Sequence, residues 1–267
     1  MTQVIRSSRI ERIKRPAWAL EANFYVPIGD EERAFGFPAF GPKSYNAAVR
    51  EALDNGQRLP TGKQTAFMLD EVYNSTNQNV QDSPEAQFVK GTIMKEGVLW
   101  VPNVNIWTPM SIRSPGLYTV FDENGQGLVK VYTTEELEDL LSKGSTERGV
   151  RFSQDRKVAF APLNTIKAEN HDKGTLAYDG AFIANHDVEG AEKLDQVAEK
   201  FFFNPYSRIV VNTTNKPIQG LSALGGSGDL VDGRLLACFD SSGGDGCGYV
   251  VSVSGSSSSA EGTAPKN

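Results

Sequence analysis

Residues 224–254, LGGSGDLVDGRLLACFDSSGGDGCGYVVSVS, constrain the fold more than any other part of the chain. Two β-prone runs, 234–239 and 248–253, flank a Gly/Ser/Asp segment at 240–246, so the pattern predicts a hairpin or two neighbouring strands. Both cysteines of the chain, Cys238 and Cys247, fall inside it. From 230 to 259 only Leu, Val, Asp, Gly, Arg, Ala, Cys, Phe, Ser and Tyr occur, while Lys, Glu, Gln, Met and Trp are absent. Each residue type used has a codon ending in a pyrimidine, and each of these absent types has none. Adenine-directed diversification of Asn codons leaves that restriction behind, because the first two letters vary and the third stays a pyrimidine. A plain Gly/Ser-rich terminal hairpin followed by a serine tail fits the same composition. Held on a stable scaffold, such small and chemically varied side chains would make a binding surface.

Charge and length narrow the remaining classes. The 267 residues, 39% of them hydrophobic, suffice for a sizeable core. A net charge of −6 argues against a general nucleic-acid binder, which needs a basic face. The local run Arg6, Arg9, Arg12, Lys14 and Arg15 is short, carries no aromatics, and reads as a solvated strand or extension. No apolar run approaches the roughly 18 residues of a membrane helix, and the N-terminus lacks the apolar core of a signal peptide. The expectation is therefore a soluble protein made in the cytoplasm without membrane insertion, and a virion or cell-surface component would have the same composition.

Taken in order, the chain predicts an early core strand over 17–27, an aromatic loop at 35–42, and then two helices. Tyr45, Ala48, Val49, Ala52 and Leu53 share one helix face that Asn55-Gly56 ends. Pro60 holds Leu59 extended, and Thr61 with Gln64 forms a capping box that opens a second helix to about Tyr73. Ser83-Pro84-Glu85 starts a third, ending near Met94. Residues 98–101 read as a buried strand and 102–109 as a loop holding Trp107. Hairpins follow: 117–121 with 128–132 around Asn124-Gly125, then 150–152 with 158–161. Between them Thr133 and Glu136 cap a helix with the stripe Leu137, Leu140 and Leu141. Its Glu135, Glu136, Glu138 and Asp139 answer the helix dipole and are not read as acid/base machinery. Residues 182–184 read as a short strand, Asp187 as the cap of a helix burying Ala191, Leu194, Val197, Ala198 and Phe201, and 209–211 as a strand. The tail, 255–267, reads as disordered.

A helix, a short link and Arg58-Leu59-Pro60-Thr61 opening a second helix resemble the RLPT-x-x-E signature of formylglycine-generating-enzyme-like (sulfatase-modifying-factor-like) domains, a branch of the C-type lectin fold. Gln64 stands where that signature has Glu. The glycine-rich C-terminal strands resemble the end of the same fold, and the chain as a whole is most similar to the variable proteins of diversity-generating retroelements, including archaeal ones. The resemblance implies one α+β domain over 1–254, with helices flanking short antiparallel sheets and inserted hairpins around 98–185. It also implies a ligand-binding, receptor-type protein that is not an enzyme, its partner a protein or cell-surface ligand and its oligomeric state open. Carried onto this chain, the exposed variable positions are Cys238, Asp240, Ser241, Ser242, Asp245, Cys247 and Tyr249, with Phe239 and Val250 turned inward.

Two rivals remain, an oxidase and an invariant structural or tail-fibre module. Formylglycine-generating enzymes oxidise a substrate cysteine with copper held by a cysteine pair, and Cys238 and Cys247 lack that pair's closer spacing. His171, His186, Cys238 and Cys247 lack metal-ligand spacing, and Gly225–Asp229 lacks the Gly-Lys-Ser/Thr of a phosphate loop, so no metal or cofactor is expected.

Overall fold

A computed structural model describes residues 7–12, 22–112, 114–167, 169–201, 206–208, 215–226, 235–241 and 248–254. Among the described residues thirteen strands join in one sheet. Its main path runs β1 (Arg9–Arg12), β2 (Ala22–Ile28), β3 (Glu31–Lys43), β13 (Gly248–Ser254), β4 (Val98–Trp107), β11 (Ile218–Gly226), β12 (Leu235–Ser241), β10 (Tyr206–Arg208) and β9 (Glu169–Asn170). A branch leaves β4 through β5 (Gly116–Phe121) and β8 (Val158–Pro162) to β7 (Val150–Phe152) and β6 (Ser145–Glu147). The pairings are antiparallel except β13 with β4 and β10 with β12.

The sheet forks at β4. One edge of β4 pairs β11 along its length, while the other pairs β13 at Val98 and Leu99 and β5 from Asn103 to Trp107. Pro102, which has no N–H to give a neighbour, lies at the divide. Opposite adjacent Leu221 and Ser222, the partners on β4 are Val104 and Val101, so Pro102 and Asn103 form a bulge.

Helices cover both faces. On one side α2 (Gly62–Asn74), α4 (Pro84–Phe88) with its continuation through a π-turn (Val89–Ile93) into α5 (Met94–Glu96), and α7 (Gly180–Ala198) pack on Leu99, Val101, Phe239 and Val251. On the other, α1 (Tyr45–Asp54) and α6 (Thr134–Leu141) cover Trp100, Val104, Tyr118 and Val250. A short α3 (Gln78–Gln81) links α2 to α4. The helix starts follow the sequence: Thr61 and Gln64 exchange both bonds of a capping box, as do Thr133 and Glu136, and Ser83 accepts from the Ala86 N–H. Tyr45, Ala48, Val49 and Ala52 are fully buried, as the 3.6-residue pattern requires.

Several expectations fail for physical reasons. The aromatic stretch 35–42 belongs to the long strand β3, whose prolines fall beyond the part paired with β2, where its register with β13 slips and missing N–H groups are tolerated. Trp107 is a fully buried strand residue of β4, not part of a loop. Residues 128–132 form no strand, because buried Asp122 accepts from the Gln126 and Gly127 N–H groups and the Tyr45 hydroxyl, curling the chain into a 3-10 turn at Gly127–Val129. β5 pairs instead with β4 and β8, and β8 with β7 as expected. Phe182–Ala184 is helical, an apolar run buried by its neighbours and opened by Asp179, which accepts from the Ala181 and Phe182 N–H groups. Asp187 does cap a helix as expected: its non-helical backbone (φ 67, ψ 166) parts two helices within α7, and its carboxylate accepts at 2.6 Å from the Val188 N–H that starts the second. The strand expected at 209–211 and the tail 255–267 lie outside the described residues.

Candidate ligand-binding surface

The two C-terminal strands are not a hairpin. β12 and β13 are separated by β11 and β4. Because β12 is antiparallel to β11, β11 antiparallel to β4, and β4 parallel to β13, the two strands run in the same direction, which no tight turn can join.

β12 is anchored from one side. Leu235, Ala237 and Phe239 are fully buried in the first core. The Trp107 indole N–H donates to the Phe239 carbonyl at 3.1 Å, and the Phe182 ring meets the Phe239 ring edge-on at 5.3 Å. Cys238, turned the other way, is half-buried against the second core, opposite Ala223 of β11 and Arg208 of β10. Asp240 and Ser241 complete the strand, and one extra residue on β12 between the Cys238 and Ser241 pairings makes a bulge where the strand ends. Ser242, Asp245 and Cys247 lie outside the described residues.

Tyr249 is a correction. Only 8% exposed, it packs in the first core with its ring edge-on to Phe88 at 5.5 Å, so it offers no free surface. The cause is the covering of both faces of β13. Tyr249, Val251 and Val253 enter one core and Val250 the other, so the period of two separates two interiors instead of inside from outside. The inward placement of Phe239 and Val250 holds, both being fully buried.

A buried polar cluster at the fork escaped the sequence reading. Thr119 donates to the Asn105 carbonyl oxygen at 2.8 Å, the Asn105 amide to the Ser222 hydroxyl at 2.6 Å, and Ser222 to the Asn185 carbonyl oxygen. The Asn103 amide donates to the Asn185 backbone carbonyl at 2.9 Å, and the His186 Nδ1 lies 3.1 Å from the Gly62 carbonyl. Burial pushes the His171 and His186 imidazoles down to about 4, leaving both neutral at pH 7. The available signal was two asparagines inside an apolar stretch, PNVNIW, which is costly in a core unless the amides are paired. Among the described residues no group of three or more His, Cys, Asp or Glu could hold a metal ion, and no helix is long and apolar enough to cross a membrane.

No protein-family model matches the chain, and no curated protein does. A solved structure described as the accommodation of massive sequence variation in Nanoarchaeota by the C-type lectin fold is similar over 85% of this chain and 100% of its own, with a TM-score of 0.50 at 12% identity. The chain has the C-type lectin fold. Within this C-type lectin fold, β12 combines a clamped inner face with a bulge before Ser241, whereas β13 is buried from Gly248 to Val253.

Proposed function

We propose that the chain is a ligand-binding, receptor-type protein that presents a diversified surface at the end of β12 on a rigid C-type lectin scaffold, and that a retroelement of the diversity-generating kind supplies the variation. The observation that carries the reading is the asymmetry of β12: Trp107 and Phe182 fix Phe239, while the strand leads past half-buried Cys238 into the codon-restricted 240–247. The likeness to a structure described by massive sequence variation supports it. The capping box at Thr61 and Gln64 supports descent from the formylglycine-generating branch, with binding in place of oxidation. Candidate contact positions are Cys238, Asp240, Ser241, Ser242, Asp245 and Cys247; Tyr249 is withdrawn.

The test is a display library of the full chain randomised at Asp240, Ser241, Ser242 and Asp245. Members should fold, their unfolding free energies should stay within about 1 kcal/mol of the parent as at ordinary surface positions, and selection on a protein target should enrich binders. General loss of folding would assign the segment a structural role. Stoichiometric Cu(I) bound through Cys238 and Cys247, with cysteine-to-formylglycine turnover lost in Cys→Ser variants, would establish the oxidase instead.

A further inference from the structure

A cavity of about 270 Å³ opens at the fork of the sheet, away from the C-terminal strands, between the start of α2, the β7–β8 turn and Asn185–Asp187 of α7. Its lining is unusual in its unused acceptors. Asn103, 3% exposed, spends its amide N–H on the Asn185 backbone carbonyl and Oδ1. That carbonyl can only accept, so the amide orientation is fixed and the Asn103 Oδ1 makes no hydrogen bond among the described residues. His186, 1% exposed, must carry its proton on Nδ1 to donate to the Gly62 carbonyl, which leaves Nε2 a buried acceptor with no partner. Buried polar atoms are almost always paired, so the unpaired His186 Nε2 beside this cavity is a specific departure, and the Asn103 Oδ1 is left for a partner inside the cavity. The bulge at Pro102 and Asn103 sets the asparagine there, and Asp187 is held in a backbone conformation that side-chain-bearing residues rarely adopt.

The start of α2, beside these acceptors, is donor-rich. α2, thirteen residues long, begins at Gly62, where a Cβ would collide with the Asn185 carbonyl, and its first-turn N–H groups carry the partial positive charge of the helix. Lys63, Arg156 and Lys157 line the same space with Asp155 and Asp187. Each cation already has a carboxylate: Glu189 for Lys63, Glu147 and Asp187 for Arg156, and Glu123 for Lys157. A simple anion therefore finds no uncompensated cation, and a simple cation faces the helix start. A small dipolar ion satisfies both the helix start and the acceptors beside it.

We infer that this cavity is a binding site for a free α-amino acid, its carboxylate at the start of α2 beside Lys63 and its ammonium donating to Asn103 Oδ1 and Asp155. The inference is independent of the function proposed for β12. Calorimetric titration of the full chain with L-alanine, ethylamine and propionate separates the two ends of the ligand. L-alanine should bind, ethylamine and propionate about tenfold or more weaker, and Lys63→Gln and Asp155→Asn should each weaken L-alanine by about tenfold with unfolding temperatures retained. The side-chain amide resonances of Asn103 should shift with L-alanine and not with propionate. Absence of L-alanine binding at millimolar concentration, equal binding of either half-ligand, or indifference to both substitutions would overturn the assignment.

Discussion

β12 (LLACFDS) and β13 (GYVVSVS) are strands of equal length near the C-terminal end of the chain, yet the fold uses them differently. β13 is wedged between β3 and β4, and nearly every side of it is fixed: a Cβ on Gly248 would collide with the Trp100 indole, Tyr249 abuts Phe88, and Ser252 fills the space that a side chain on Gly36 would need. β12 is fixed at alternate positions, by Leu235, Ala237 and Phe239, and leaves Cys238 half-buried. Tolerance to substitution is thus a matter of what covers each face, and two strands of one sheet can sit far apart on that scale.

The comparison can be broken at several points. Phe239→Ala removes the ring held between Phe182 and the first core and should cost about 3–5 kcal/mol in denaturant unfolding; a loss under about 1 kcal/mol would show β12 unanchored. Acid should loosen the same anchor, since His171 and His186 both contact Phe182. Their folded-state values near 4 lie below the unfolded 6.5, so their stabilisation is complete above about pH 6.5 and is lost as pH falls towards 4, by about 3 kcal/mol for each histidine. Asp179, pushed up to about 6 by burial, acts in the opposite sense over part of that window and is outweighed by the pair. Unfolding free energies at pH 7 and near pH 4.5 should show the drop, and His186→Gln should flatten it. Gly248→Ala should cost about 1–3 kcal/mol by overpacking against Trp100, and a neutral result would mean that β13 has slack. Cys238→Ser should change stability by under about 1 kcal/mol, the smallest effect of the set.

Local signals were legible at most of the helix starts. The capping boxes at Thr61 and Thr133, the Ser83 cap and the face of α1 are all set within a turn or two of chain, and all are present. Two failures were local, the turn that Asp122 draws up at Gln126 and Gly127 and the helix that Asp179 opens at Phe182–Ala184, and others were set by partners distant in sequence. The pairing of β13 with β3, more than 200 residues away, made a strand of the proline-rich 35–42 and buried Tyr249. The Asn103–Asn185 contact spans 82 residues and leaves no periodic trace, so the fork and its cavity were invisible to pattern reading. At the candidate surface the inward residues of β12 were legible and the outward ones only partly, because alternation does not say whether the second face meets water or another core.

The central claim, that variation is written where the scaffold tolerates it, is tested most directly by sequencing the DNA around the gene. The account predicts a near-copy of the 3′ end, a reverse-transcriptase gene beside it, and adenines in the copy wherever the gene differs. Those differences should cluster at Cys238, Asp240, Ser241, Ser242, Asp245 and Cys247 and spare Leu235, Phe239, Tyr249 and Val251, which are buried. Differences spread evenly over buried and exposed positions, or a locus without any copy, would contradict it.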